Sequence, residues 1–406
     1  MLADPFKRLF DRHAALLPGW WAGAPPAPRP GTDGSAAAWR LASTAASGDE
    51  AMTGPSNHYG ATAARIHGRP GRETRPASLT IDIHAHVLVP EAGAFVAPHL
   101  DPSTIPLSRF ATPETAALNA RQNADRRTVF TQHGPRLAEL DGMGIDLQVC
   151  APPPPQCYYT VPLDIAVPAT RMVNDGIAAF CAARPDRFLG LGSVPMQDAG
   201  EAVRELERCM GPLGFKGVQI LTTIGDRELS DPAFEPFWAA AERLGALVMI
   251  HPNGFSEGGR LTRFYLNNVL GNPLDTTVAL HYLIFDGVLE RHPALKILAV
   301  HGGGFLPAYS GRIDHAWGAR SDSRGTLPQP PTHYLRKVYF DTIVFTPHQL
   351  EYLVRLYGAD RIMMGTDFPF DMAESDPIGH ICSVESFDAA TRAALAGGTA
   401  RALLGL

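Results

Sequence analysis

Excess charge of either sign is missing from this chain. Across 406 residues, 35 Lys and Arg stand against 41 Asp and Glu, a formal net charge of −6. No basic block interrupts the sequence, so nothing favours nucleic acid or an anionic membrane surface as a partner. Also missing is an apolar run of about 18 residues, the length a membrane-spanning helix needs, so no membrane partner is expected. Cysteine is scarce: Cys150, Cys157, Cys181, Cys209 and Cys382 are an odd number without a CxxC pair. That favours reduced thiols in a cytoplasmic protein over a disulfide framework, and the spacing is not that of a zinc finger. The first residues lack the basic start, apolar core and small-residue cleavage site of a secretory signal. A Gly-rich dinucleotide fingerprint after the first strand is absent too. Gly302-Gly303-Gly304 is followed by no Lys-Ser or Lys-Thr, so it is no phosphate loop.

What is present is 45% hydrophobic residues, enough to bury the core of one large α/β domain with an extension. Residues 1–76 differ from the rest. Leu2–Leu17 has Phe6, Leu9, Phe10, Ala14 and Leu17 at helical spacing, and then Pro, Gly, Ala, Ser and Thr dominate. Such a composition cannot bury enough surface to order itself, so we read an extension or linker that can drape Trp20 and Trp21 over a partner subunit. Met52 is an alternative start.

From residue 77 to 406 a rhythm sets in: a short β-branched run, a loop, a helical stretch. The runs are Leu79–His84, Ile145–Ala151, Phe188–Val194, Gly217–Leu221, Ala246–His251, Lys296–His301, Lys337–Thr342 and Arg361–Asp367. Helical patterns fall at Asp164–Arg184, Ala199–Met210, Asp231–Leu244, Pro273–Arg291 and Pro347–Tyr357, with a last helix near Asp388–Leu404. Eight such units predict a closed (β/α)8 barrel of the TIM type, with a doubly wound open sheet as the runner-up.

Active groups in such barrels sit where strands end. His84 and His86 end the first strand, His251 the fifth, His301 the sixth and Asp367 the eighth. Five metal-type side chains therefore share one rim, whereas His13, His58, His99, His281, His292, His333 and His348 scatter through helices and loops. One residue apart on a strand, His84 and His86 leave on the same face, as half of a four-point metal site. Asp82 can orient a ligating histidine from behind or cap the barrel floor. Ala151-Pro-Pro-Pro-Pro-Gln-Cys-Tyr-Tyr159 lies on the same rim, as a substrate-facing wall or a plain loop.

Asp82-Ile-His-Ala-His86, His251-Pro-Asn-Gly254, His301-Gly-Gly-Gly-Phe305 and Gly365-Thr-Asp-Phe-Pro-Phe370 resemble the amidohydrolase superfamily. More narrowly they resemble its decarboxylase branch, typified by aminocarboxymuconate semialdehyde and hydroxybenzoate decarboxylases. Arg136–Asp146 and Gly311–Trp317 support the match, which covers residues 79–404.

The resemblance implies one divalent ion held by His84, His86, His251 and Asp367, with water completing its shell. Zinc is the expected ion and manganese the alternative. Lys216 stands at the start of the fourth strand and not at its exit, which favours one metal over two. His301 is implied as the unliganded general acid/base, with Asp367 as a second group managing the proton. Arg127 and Arg312 are implied to hold substrate carboxylates, one of them donated by a neighbouring subunit; Arg126 can replace Arg127. Together these imply a homodimer that decarboxylates an aromatic or muconate-type carboxylic acid. A lactonase or hydratase on the same scaffold is the alternative.

Overall fold

Eight parallel strands run in chain order around one barrel. They are β1 (Ile81–His86), β2 (Leu147–Ala151), β3 (Phe188–Gly190), β4 (Gly217–Leu221), β5 (Leu247–His251), β6 (Lys296–Ala299), β7 (Tyr339–Asp341) and β8 (Ile362–Met363). Parallel ladders join β1 to β3 and β4 to β8. Two single bridges close the ring: Gly192 to Val218 between β3 and β4, and Ala85 to Phe368 just beyond β8. The expected (β/α)8 barrel is the observed fold. The computed structural model describes residues 71–406. The expected helix at Leu2–Leu17, Trp20, Trp21 and Met52 lie outside the described residues.

Every residue of β1 and of β5 is buried, as expected of parallel strands covered on both faces. The principal helices are α1 (Pro90–Val96), α2 (Pro113–Thr131), α3 (His133–Met143), α4 (Leu163–Ala183), α5 (Ala199–Met210), α6 (Glu235–Leu244), α7 (Asn272–Phe285), α8 (Gly311–Ala319), α9 (Pro347–Tyr357) and α10 (Thr399–Leu404). α4 buries Ala166, Ala169, Val173, Ile177 and Phe180, a stripe at spacings of three and four. α5 starts where the Asp198 carboxylate accepts from Glu201 N at 2.8 Å, and α6 stops at Gly245 in the left-handed region.

One irregularity positions the site. Along β1 and β2, Asp82 faces Gln148 and Ala85 faces Cys150, so β1 carries one extra residue between these pairs. Such a bulge switches the parity of the strand. Ile81 and Ile83 pack with Leu247, Met249 and Leu298, whereas Ala85 joins the core beneath the helices. Beyond the bulge it is His84 and His86 that face inward. Simple alternation from Ile81 and Ile83 would have turned both histidines outward.

Several boundaries differ from the sequence expectation. α2 and α3 were not read as helices, because α2 buries only Val129 and Phe130 and shows no apolar stripe. The expected helix Pro273–Arg291 breaks at Asp286-Gly287, where Gly287 takes a φ of 76°, before a short turn at Val288–Arg291. The last helix is split into Ala389–Ala393, a π turn and α10. There Gly397 lies so close to Leu79 O that a Cβ has no room. Residues 71–76, assigned by composition to the extension, engage the barrel: Arg75 donates to Gly144 O at 3.2 Å and pairs with Asp146.

Candidate active site and metal centre

β1, β5 and the segment after β8 bring His84, His86, His251 and Asp367 to one point at the C-terminal rim. Their ligand-type atoms all lie within 4.8 Å of one another, and all four residues are buried. His86 Nε2 is 3.0 Å from Asp367 Oδ1, and His84 Nε2 and His251 Nε2 are 3.4 and 3.7 Å from the same oxygen. His84 Nε2 and His86 Nε2 are 3.2 Å apart.

The hydrogen bonds behind these rings fix which nitrogen faces the centre. His86 Nδ1 lies 2.9 Å from Pro152 O and His251 Nδ1 2.7 Å from Pro252 O. Carbonyl oxygens only accept, so both Nδ1 atoms carry the proton and both Nε2 atoms keep a lone pair. His84 Nδ1 lies 2.8 Å from Asp341 Oδ2, which leaves its Nε2 in the same position. Among the described residues His251 Nε2 is buried without a hydrogen-bond partner. Three lone pairs and a carboxylate converging on one point, one of them otherwise unsatisfied, fit a divalent cation.

Electrostatics at His251, His86 and Asp367 agree with this reading; at His84 burial works to lower the imidazole, but the Asp341 and Asp367 carboxylates override it and raise it. Burial pushes the His251 imidazole down to about 3 and lowers that of His86, so both stay neutral as ligands must be. Burial works to raise the Asp367 carboxyl, but the surrounding imidazoles override it and hold the group well below the usual carboxylate range. Burial raises Asp82 to about 6, despite hydrogen bonds from Thr366, Gln148 and His84 that favour its ionised form.

His301 stands next to the four-atom cluster, its Nε2 3.4 Å from Asp367 Oδ2. Its Nδ1 is buried and, among the described residues, has no hydrogen-bond partner. His301 and Asp367 both adopt left-handed backbone, with φ of 56° and 61°. That conformation costs a non-glycine residue about 1–2 kcal/mol, so the surroundings must impose it. At His301 the clamp is Asp341, which accepts from His301 N at 3.0 Å and from Gly302 N at 2.8 Å. At Asp367 it is the His84 carbonyl, 2.9 Å from Asp367 N. Asp341 was missed in the sequence, although a carboxylate ending the seventh strand was signal enough to find it.

His301 and Asp367 line a cavity of about 240 Å³ whose walls include Asn268, Asn272, Phe305, Val344, Phe345 and Met372. A larger rim cavity of about 600 Å³ is walled by Pro154, Pro155, Tyr158 and Tyr159 and holds none of the four ligand residues. The expected wall Ala151–Tyr159 thus faces a cavity, but not the one that His301 and Asp367 line. The structure brings neither arginine to the cluster. Arg127 is exposed on α2, and its neighbour Arg126 is taken up by a bidentate pair with Glu139 at 3.0 and 2.8 Å. Arg312 is exposed at the start of α8, and among the described residues its guanidinium takes part in no ion pair.

A closed parallel barrel with an HxH strand, two further ligands on its C-terminal rim and a free histidine beside them defines a metal-dependent hydrolase-type scaffold. The amidohydrolase family model matches residues 81–406, and the chain belongs to that family. The relatives place it in the decarboxylase branch. It is 36% identical to 2-amino-3-carboxymuconate-6-semialdehyde decarboxylase of Dictyostelium discoideum, over 67% of this chain and 76% of that protein. It is 31% identical to γ-resorcylate decarboxylase of Rhodococcus jostii, over 63% of this chain and 80% of that one. The crystal structure of 5-carboxyvanillate decarboxylase from Sphingomonas paucimobilis superposes with a TM-score of 0.71 at 26% identity, covering 81% of this chain and 99% of the other.

Proposed function

We propose that this protein is a metal-dependent, non-oxidative decarboxylase of an aromatic or muconate-type carboxylic acid. The observation that carries the reading is His301 beside the four-donor cluster, facing a cavity, in a chain whose relatives are decarboxylases. His84, His86, His251 and Asp367 would hold one divalent ion, zinc foremost and manganese as the alternative. When bound, that ion supplies Lewis-acid polarisation of a substrate oxygen.

The remaining chemistry belongs to the chain. The bond from carbon to carboxylate breaks, CO2 leaves without the electron pair, and the carbon takes one proton in its place. No oxidant or reductant enters. His301 Nε2, 3.4 Å from Asp367 Oδ2, delivers that proton, and the Asp367 carboxylate steadies the imidazolium that carries it. The aromatic and aliphatic walls Phe305, Val344, Phe345 and Met372 favour a planar apolar substrate body and exclude water.

We further propose a homodimer in which Arg312 serves the partner's cavity. Phe305 and Tyr309, on the segment leading to α8, are exposed at 43% and 68%, as suits a surface covered by a second copy. Arg127 remains the candidate second carboxylate clamp, with Arg126 already committed to Glu139. Five unpaired cysteines suit the cytoplasm.

The test is CO2 release from a panel of hydroxybenzoates, carboxyvanillate-like acids and aminocarboxymuconate semialdehyde, with metal-replete enzyme, chelated enzyme and His301→Ala. Metal-dependent CO2 release that His301→Ala abolishes is expected. Ring opening of a lactone by the same protein without CO2 would overturn the reading. For the dimer, mixing inactive Arg312→Ala with inactive His301→Ala should restore up to about a quarter of the activity; no recovery in proven mixed dimers removes the shared arginine.

A further inference from the structure

The bulge that turns His84 and His86 inward interrupts the β1–β2 register between Asp82 and Ala85, and a bulge disrupts the ladder locally. Within this bulge the N–H of His84 donates to Asp82 Oδ1 at 3.2 Å. The same carboxylate spans the seam between β1 and β8, which backbone bonds from Ile83 N to Met364 O at 2.9 Å, Asp367 N to His84 O at 2.9 Å and His86 N to Phe368 O at 2.8 Å also close. Thr366 N donates to Asp82 Oδ1 at 3.1 Å and Thr366 Oγ1 to Oδ2 at 2.6 Å. Thr366 directly precedes Asp367, so one side chain ties together the two stretches that carry three of the four cluster residues.

Asp82 is held in turn from the helical layer. Gln148 Nε2 donates to Asp82 Oδ2 at 2.8 Å, and Arg136 Nε donates to Gln148 Oε1 at 2.7 Å. Arg136 is fully buried, and its guanidinium also donates to His86 O at 2.9 Å and to Val129 O at 3.2 Å. Phe368, Phe180 and Phe188 surround it, with ring centroids 5.0, 5.8 and 5.9 Å from Cζ. Among the described residues no carboxylate touches this cation; its remaining nitrogen lies 3.9 Å from Cys150 Sγ, and Asp82 is the carboxylate it reaches through the Gln148 amide. A buried guanidinium is costly to maintain unless its geometry is needed.

We propose that Arg136, Gln148 and Asp82 form a positioning relay that holds the β1 bulge and the β1–β8 seam at the spacing the metal requires. None of the three touches the cluster's donor atoms, so they are positioning residues. The inference rests on the metal-centre reading but not on decarboxylation.

The polarity of the relay makes it testable. In Asp82→Asn the new amide nitrogen meets the Gln148 amide nitrogen, and flipping Gln148 turns its nitrogen toward Arg136 instead. No arrangement satisfies all three groups. Adding Gln148→Glu restores a donor–acceptor chain, with the negative charge moved one step toward Arg136, while the Thr366 hydroxyl turns to His84 O, 3.4 Å away. The readout is the dissociation constant of Zn2+ or Mn2+ for the folded full-length protein, measured by chelator competition well below the thermal transition.

Asp82→Asn and Gln148→Leu should each weaken metal binding by about 10- to 100-fold, and Asp82→Asn/Gln148→Glu should recover most of that loss. Leu206→Ala, a core truncation on α5, should lower the melting temperature without moving the constant. Single variants that bind metal like the wild type, or a double variant no better than Asp82→Asn, would overturn the relay. Loss of CO2 release with metal binding intact would bear on the proposed function alone.

Discussion

Asp341 Oδ2 lies 2.8 Å from His84 Nδ1, and the same carboxylate accepts the backbone N–H of His301 and Gly302. One buried group therefore orients a metal-site histidine and imposes the left-handed conformation on the histidine beside it. Asp341→Asn retains the shape, but its amide nitrogen, wherever it points, confronts a donor. Metal affinity should fall by about 10- to 100-fold, and kcat should fall further than affinity alone explains once metal is saturating. Chelator competition beside kcat at high metal checks both; equal saturating kcat would show that His301 does not depend on the clamp.

His301→Ala separates proton transfer from metal binding. Its imidazole lies outside the four-donor group, so metal stoichiometry should stay at about one per chain while kcat falls by about 10²- to 10⁴-fold. A large loss of bound metal, measured by elemental analysis, would instead make His301 a ligand.

Metal removal should lower stability, because the ion binds the assembled site and not the unfolded chain. At a free metal concentration of about 100 times Kd, the gain is roughly 2.7 kcal/mol. Melting temperature should rise with the logarithm of metal concentration in the wild type and stay flat in His84→Ala.

Asp275 gives a pH dependence away from the metal. Burial raises its carboxyl to about 7, against a hydrogen bond from Thr222 and with help from the nearby Glu228 charge. The folded state thus holds a proton that the unfolded chain gives up near pH 4. This contribution is fully present below pH 4 and is lost as pH rises through about 7, with stability falling across that window. Urea unfolding at pH 5 and pH 8 should show a smaller difference in Asp275→Asn than in the wild type. An unchanged difference would mean that Asp275 is ionised throughout.

Gly304 takes a φ of 69°, and a Cβ there would collide with Pro273 O at the start of α7. Gly304→Ala has to move either α7 or the loop that carries His301. A loss of several kcal/mol in stability is expected, with weaker activity in whatever folds. Wild-type melting behaviour in the variant would show that the loop gives way freely.

The barrel was legible because its strands are buried on both faces and end in chemically marked residues. His251 closes a run of five buried residues, so periodicity and chemistry pointed to the same boundary. The four-donor cluster was legible for the same reason. α2 was not, since a helix that buries two residues of nineteen has no pattern to read. The bulge in β1 was invisible as well. It depends on how β1 registers against β2, and residues 81–86 alone do not encode a partner's spacing. Arg127 and Arg312 carry charge but no apolar pattern, and their placement on exposed helix surface comes from packing around them.

The seam between β1 and β8 also sets an order of events. Synthesis makes His84 and His86 early and Asp367 nearly three hundred residues later (281 positions separate His86 from Asp367). A nascent chain stopped short of Asp367 holds three of the four donors and lacks the carboxylate that completes the cluster. The four-donor cluster is complete only once the segment after β8 has been made.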